Sequence, residues 1–119
     1  MTNQPQERRI NPRLELRVPV RCQRLGNSAY VNGLSEDISL GGTAFNCDKF
    51  IAPKTTLRME ITMPARTLYP IGVVCWTTQL PRSIISRHGV EFLEFDLQEK
   101  KYLRQFLDMH FAGVKERKL

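Results

Sequence analysis

The 119-residue sequence lacks the features of several common protein classes. Its three cysteines, Cys22, Cys47 and Cys75, form no C-x-x-C pair, and its only histidines are His88 and His110. This set is too sparse and too widely spaced for a disulfide framework or a zinc site, so we predict three buried thiols and no metal. Because no Ser–His–acid set is evident either, the sequence does not indicate an enzyme.

Long hydrophobic runs are also absent. No apolar stretch approaches the roughly 20 residues of a membrane-spanning helix, and the polar N-terminus lacks the apolar core of a signal peptide. We therefore expect a cytoplasmic protein without a membrane span. The length suits one domain with one core, and no repeat or low-complexity tract divides the chain.

Positive charge, by contrast, is present in excess and is concentrated at one end. The formal net charge is +6, and residues 1–24 hold six arginines against two glutamates, a local balance of +4. This distribution predicts an anionic partner at one surface rather than a uniformly basic coat. No basic amphipathic helix accompanies the cluster, which disfavours a membrane-surface role.

Hydrophobic periodicity predicts an all-β chain followed by one helix. Apolar and polar residues alternate at 14–22 and 57–63, and turn residues separate these segments from further short β-type segments. Asp96 and Glu99 then have the form of a capping box, and apolar residues at helical spacing follow as far as Gly113. About six strands and one helix indicate a small antiparallel barrel with the helix packed on it.

The first motif that could bind a ligand is RRINPR, which runs from Arg8 to Arg13. It places Arg8, Arg9 and Arg13 within six residues that contain little to pack, and Pro12 disfavours a helix here. Guanidinium groups match phosphate oxygens and purine edges in bidentate fashion. Taken alone, the cluster fits a solvated basic tail as well as an anion-binding segment.

The second motif is D-x-S-x-x-G, formed by Asp37, Ser39 and Gly42. Asp37 and Ser39 are two positions apart, which predicts that they project from the same strand face. A carboxylate beside a hydroxyl can accept the N–H groups of a guanine edge, and Gly41 and Gly42 would allow positive φ and close approach of a ligand. The alternative is a hairpin in which both polar side chains bond only their own turn.

Together the two motifs resemble the PilZ domain family, the receptors for the bacterial second messenger cyclic di-GMP. The family pattern R-x-x-x-R followed by [DN]-x-S-x-x-G corresponds here to residues 9–13 and 37–42, and Gly89-Val90-Glu91-Phe92 matches a late strand of the family. The resemblance spans roughly residues 7–111, and no motif position departs from the pattern.

The resemblance implies a six-stranded antiparallel PilZ-type barrel with a C-terminal helix and a ligand site on its outer surface. It divides the chain into a flexible leader at 1–7, a domain at 8–112 whose helix occupies about 96–112, and a basic tail at 113–119. Trp76, the only tryptophan, is an added candidate because an indole offers a guanine a stacking surface, although tryptophan in a strand is often a core residue. The candidate site residues are Arg8, Arg9, Arg13, Asp37, Ser39, Gly41, Gly42 and Trp76.

The same resemblance implies a switch rather than a reaction. Arg9 and Arg13 would hold phosphates and the Hoogsteen edge of guanine, Asp37 would read the other edge with Ser39, and Arg8 would serve a second ligand molecule if two bind. The leader would become ordered over the ligand and signal to a downstream protein. We expect no cofactor, and a monomer or weak dimer.

Two other functions are compatible with a small barrel. One is binding of single-stranded RNA or DNA, which usually requires basic residues interleaved with exposed aromatics on one sheet face. Here most phenylalanines occupy apolar strand or helix positions and the charge lies in the leader, which disfavours nucleic acid. The other is a structural adaptor that works through its C-terminal helix, which would leave both motifs unexplained.

Overall fold

A computed structural model describes residues 11–118, which form eight β-strands and one α-helix. The elements are β1 (Leu14–Glu15), β2 (Pro19–Arg24), β3 (Val31–Ile38), β4 (Gly42–Cys47), β5 (Thr56–Thr62), β6 (Thr67–Leu68), β7 (Ile71–Gln79), β8 (Ser86–Glu94) and α1 (Leu97–Lys118). The predicted leader at 1–7 and the candidate ligand residues Arg8 and Arg9 lie outside the described residues.

Six of these strands close an antiparallel barrel in the order β3-β2-β5-β7-β8-β4, and β4 pairs back onto β3. The two remaining strands are short additions: β1 pairs with the end of β3 that β2 leaves free, and β6 pairs with β5. The predicted six-stranded antiparallel barrel with a C-terminal helix is confirmed.

Alternation along the strands decides which side chains fill the barrel. In β5, Leu57, Met59 and Ile61 are at most 1% exposed, whereas the intervening Arg58 faces solvent. Full burial of a side chain of this size contributes about 1.5–3 kcal/mol. The same core cluster includes Leu103 of α1, so the helix is part of the core.

The start of α1 connects the helix to the barrel. Asp96 caps it, because its Oδ2 accepts from the backbone N–H groups of Gln98 and Glu99 at 3.0 and 3.1 Å. Glu99 does not complete the predicted capping box. Its carboxylate instead accepts from the backbone N–H of Tyr69 at 2.8 Å, which ties the helix to the loop between β6 and β7.

The predicted end of the helix near residue 112 is wrong. α1 continues through Gly113 to Lys118. A glycine inside a helix costs only about 1 kcal/mol relative to alanine, and the lysine, glutamate and arginine residues that follow are good helix formers. One glycine is therefore not enough to end this helix.

The cysteine prediction is right for two of the three residues. Cys22 and Cys47 are buried, and burial raises the pKa of the Cys22 thiol to about 12. Cys75 is exposed, because it follows the inward-facing Val74 in the alternation of β7. It remains a free thiol on the surface of the barrel.

His88 is a core residue and makes stability depend on pH. Its ring is fully buried, lies 5.0 Å from the ring of Phe45, and accepts at Nε2 from the backbone N–H of Ile51 at 3.1 Å. Burial lowers the pKa of His88 below its ordinary value of about 6.5. Below that pH the unfolded chain therefore binds a proton that the folded chain does not.

We expect the free energy of unfolding to be highest above about pH 6.5 and to fall by up to about 1.4 kcal/mol per pH unit below it. Urea unfolding at pH 7.0 and 5.5 measures this slope. His88→Gln should be less stable overall and should reduce the slope, whereas His110→Gln, at an exposed position, should keep it. An unchanged slope in His88→Gln would contradict this assignment.

Candidate ligand-binding site

The turn of the D-x-S-x-x-G motif is held together by Ser39. Its Oγ accepts from the backbone N–H groups of Gly41 and Gly42 at 3.1 and 3.2 Å, and its own N–H donates to the Gly42 carbonyl at 2.8 Å. Ser39 lies beyond the end of β3, in the turn, so the prediction that it shares a strand face with Asp37 is wrong. Its side chain is buried and serves the turn in this structure.

Packing rather than backbone conformation requires glycine at position 42, whereas at Gly41 the closest atom belongs to a side chain. Neither Gly41 nor Gly42 uses the positive φ that glycine would allow. A Cβ on Gly42 would lie 2.1 Å from the carbonyl oxygen of Val90, and one on Gly41 would lie 2.9 Å from Nδ2 of Asn11. Glycine at these positions lets β8 and the chain preceding β1 approach the turn closely.

Arg13 and Asp37 bring the two motifs together although 24 residues separate them. Nη1 of Arg13 donates to Oδ1 of Asp37 at 2.6 Å, and the same oxygen accepts from the backbone N–H of Ala44 at 3.3 Å. The pairing of Glu15 with Asp37 between β1 and β3 carries Arg13 to this position. Because the Arg13 and Asp37 side chains are 36% and 25% exposed, a ligand can reach both.

A bulge in β3 determines which side chains accompany Asp37. The pairing of β3 with β4 is irregular between Ser35 and Asp37, and both Ser35 and Ile38 are fully buried. In regular alternation only one of the two intervening side chains would face outward, but the bulge leaves both Glu36 and Asp37 partly exposed. Two carboxylates therefore lie side by side on the outer surface.

Strand register connects Asp37 to the tryptophan. Asp37 pairs with Ala44, Ala44 with Gly89, and Gly89 with Trp76, and we call these four residues the outer row. Three strand spacings separate its ends, about 14 Å between backbones along the curved sheet. Of the two residues between them, Ala44 is 3% exposed and Gly89 lies beneath the Trp76 ring.

Trp76 lies on the outside of the barrel, not in its core. A second irregularity, between Val74 and Trp76 in the pairing of β7 with β8, turns the indole outward, where the residue is 41% exposed. The ring lies directly over Gly89, where an added Cβ would come within 2.1 Å of Nε1. One face of the indole thus rests on backbone and the ring remains accessible for stacking.

Sequence reasoning missed an ion pair next to the outer row. Nε and Nη2 of Arg87 donate to the two carboxylate oxygens of Glu36 at 2.9 and 2.7 Å, and Arg87 Cζ lies 5.7 Å from the Trp76 ring centre. The Arg87 guanidinium lowers the pKa of Glu36, and the Glu36 carboxylate raises that of Arg87. Strand alternation counted from the outward-facing Gly89 predicts that Arg87, two residues earlier, also faces outward. No sequence signal marks the bulge that exposes Glu36.

One groove of the barrel contains none of the motif residues. It has a volume of about 380 Å³ and is lined by residues that include Tyr30, Tyr69, Glu60 and Glu94. The candidate site is instead the part of the barrel surface on which Arg13, Asp37 and Trp76 are accessible.

Between residues 11 and 118, no group of three or more His, Cys, Asp or Glu side chains is placed to hold a metal ion. The helix in this part of the chain is not apolar enough to cross a membrane.

Structural comparison identifies proteins of the same fold. The inhibitor of motility MotI/DgrA of Bacillus subtilis is 22% identical with a TM-score of 0.73, over 89% of this chain and 52% of that one. The PilZ domain of Escherichia coli YcgR, solved with c-di-GMP, is 12% identical with a TM-score of 0.70, over 92% and 96%. MrkH of K. pneumonia in its apo state is 17% identical with a TM-score of 0.75, over 98% and 55%.

The chain therefore spans about half the length of MotI/DgrA and of MrkH and nearly all of the YcgR domain. A comparison with curated protein sequences gives no match. The family model of the PilZ domain matches residues 7–109, most of the sequence. On this match, and with a barrel of the same architecture, the chain belongs to the PilZ domain family.

Proposed function

We propose that the protein is a receptor for cyclic di-GMP. The observation that carries the proposal is the Arg13–Asp37 contact, because it joins on one accessible surface the two motifs that the family resemblance assigns to the ligand. The YcgR PilZ domain, which has the same fold, was solved with c-di-GMP. The proposed role is binding and signalling in the cytoplasm, not catalysis.

The roles of the side chains follow from their donors and acceptors. Arg9 and Arg13 donate to phosphate oxygens and to the Hoogsteen edge of guanine, and Asp37 accepts from its N1–H and N2–H₂ groups. Ser39 acts by holding the turn, since its hydroxyl is engaged by the amides of Gly41 and Gly42. Arg8 supports a second ligand molecule.

Ligand binding replaces the Arg13–Asp37 contact rather than adding to it. The donor and acceptor that the nucleotide needs are paired with each other in this structure. A partly exposed ion pair contributes only about 0–1 kcal/mol, so exchanging it for ligand contacts costs little. The leader then closes over the ligand, and a protein partner binds the altered surface.

Trp76 provides the signal for the test, because it is the only tryptophan and lies on the proposed site. We expect cyclic di-GMP to change Trp76 fluorescence saturably, with an affinity that weakens only moderately between 50 and 200 mM salt, since the ligand is a dianion. Saturable binding of a single-stranded RNA oligonucleotide with about a 1,000-fold loss over that range would instead indicate the nucleic-acid function. No response to cyclic di-GMP by the folded protein, in fluorescence or in calorimetry, would overturn the proposal.

A further inference from the structure

The groove that contains none of the motif residues is lined by side chains from four neighbouring strands. Strand pairing connects these side chains in one row from β2 to β8, formed by Gln23, Arg58, Ile71 and Glu94. In the closed strand order, β5 and β7 lie across the barrel from β4 and β3, which flank the turn of the D-x-S-x-x-G motif. A molecule bound in the groove would therefore leave that turn uncovered.

Two exposed tyrosines line this groove. Tyr30 precedes β3 and is 46% exposed, and Tyr69 lies between β6 and β7 and is 58% exposed. Next to the groove, the Arg21 guanidinium lies 3.9 Å from the centre of the Tyr30 ring and donates to both oxygens of Glu60 at 3.2 and 3.0 Å. The surface thus already holds one guanidinium between a tyrosine ring and a carboxylate, where stacking and charge-assisted hydrogen bonds both stabilise the cation.

At its β8 end the groove offers the same groups to an external cation. Tyr69 lines the groove together with the carboxylates of Glu94 and Asp96. None of the ion pairs formed among residues 11–118 includes Glu94 or Asp96, and the helix cap engages only Oδ2 of Asp96. Although the chain has a net charge of +6, three carboxylates and a single guanidinium line the groove. Its charge therefore favours a cationic group over an anionic nucleotide.

The start of α1 holds this end of the groove in place. The Glu99 carboxylate accepts from the backbone N–H of Tyr69 at 2.8 Å, and the backbone N–H of Glu99 donates to Asp96 at 3.1 Å. Glu99 is 8% exposed, so the connection lies inside the protein. Because the backbones of Tyr69 and Asp96 are fixed relative to each other before a partner binds, less entropy is lost on binding.

We propose that this groove is the docking site of a different, downstream protein and that it binds an arginine side chain which that partner presents. The guanidinium stacks on Tyr69 and donates to Glu94 and Asp96, repeating the kind of contacts that Arg21 makes beside it. Arginine suits the site better than lysine, because its planar group can stack and form a bidentate pair at the same time. This inference rests on the proposed function for the existence of a partner, but docking itself does not require the nucleotide.

The test is an NMR titration of the isotope-labelled protein with a blocked pentapeptide that carries one arginine between glycines. We expect weak, saturable binding that shifts the backbone N–H signals of Tyr69, Ile71 and Glu94, because a single side chain offers few contacts. The same peptide with citrulline, which keeps the shape of arginine without its charge, should bind about fivefold more weakly. Glu94→Gln and Tyr69→Leu should each weaken the arginine peptide by about fivefold, whereas Tyr69→Phe, which keeps a ring, should retain binding.

Glu91→Gln is the matched control, because Glu91 is an exposed carboxylate on the same strand as Glu94 and does not line the groove. It should leave peptide binding unchanged. Asp96→Asn still caps α1 and should weaken the peptide as Glu94→Gln does. Absence of saturable shifts in folded wild type, equal binding of the arginine and citrulline peptides, or undiminished affinity in Glu94→Gln and Tyr69→Leu would overturn the docking site.

Titration of cyclic di-GMP into the same protein separates this proposal from the receptor function. Nucleotide binding without arginine-peptide binding would leave the receptor standing and reject the docking site. Peptide binding without nucleotide binding would do the reverse. If the groove signals of wild type shift with protein concentration before any peptide is added, the occupant is a second copy of this chain and docking of a different protein is wrong.

Discussion

Asp37→Ala should weaken cyclic di-GMP binding by at least about 100-fold without unfolding the barrel. The carboxylate is proposed to accept two N–H groups of guanine, and hydrogen bonds to a charged group are worth about 1.5–3 kcal/mol each. The barrel should survive because the side chain lies outside the core and, among residues 11–118, its one backbone hydrogen bond is the 3.3 Å bond from the Ala44 N–H. The ladder between β3 and β4 does not depend on that bond.

Calorimetric titration measures this loss, and urea unfolding measures the stability of the same variant. Glu15→Ala is the matched control, because Glu15 is an exposed carboxylate that pairs with Asp37 across β1 and β3. It should bind as tightly as wild type. Asp37→Asn, which the family pattern allows, should keep part of the affinity through its remaining carbonyl acceptor. Wild-type affinity in Asp37→Ala, or an equal loss in Glu15→Ala, would contradict the role of Asp37.

Gly42→Ala should destabilise the fold by about 3 kcal/mol, because overpacking against an atom that cannot move aside has a cost of this size. The added Cβ would lie 2.1 Å from the carbonyl oxygen of Val90, which belongs to the backbone of β8. Relief requires β4 and β8 to separate at the edge of the proposed site. Ligand binding should fall together with stability.

The control for this prediction is a glycine required for the opposite reason. Gly26 has a φ of +82°, and a Cβ there would meet no atom within 4 Å. Gly26→Asn should therefore lower the free energy of unfolding by much less than Gly42→Ala does, because asparagine tolerates the left-handed region. Urea unfolding of both variants distinguishes them. Equal losses of stability in the two variants, or a Gly42→Ala protein as stable as wild type, would show that the close approach of Val90 does not require glycine at position 42.

The sequence predicted the barrel and much of its core because period-two alternation directly records which side of a strand is buried. Leu57, Met59 and Ile61 fill the barrel as their spacing indicated. The helix start was also predictable, because the carboxylate of Asp96 can accept from the free backbone N–H groups of the first helical turn. The two motifs indicated the candidate site because their spacing in the chain matches the family pattern.

The remainder of the site depends on contacts that spacing does not encode. Bulges in β3 and β7 shift the alternation by one residue, which exposes Glu36 and turns Trp76 outward, and neither bulge has a compositional signal. The reason for Gly42 is the backbone of β8, nearly 50 positions away in sequence. Arg87 lies beside both Glu36 and Trp76 only because β8 is placed between β7 and β4 in the sheet.

The most direct test of the receptor function is calorimetric titration of the protein with cyclic di-GMP, with an Arg9→Ala, Arg13→Ala variant alongside. We predict saturable binding to wild type, with the number of ligand molecules given by the stoichiometry, and no measurable binding to the double variant, which should unfold at the same urea concentration as wild type. Absence of binding to folded wild type, or undiminished binding to the variant, would contradict it.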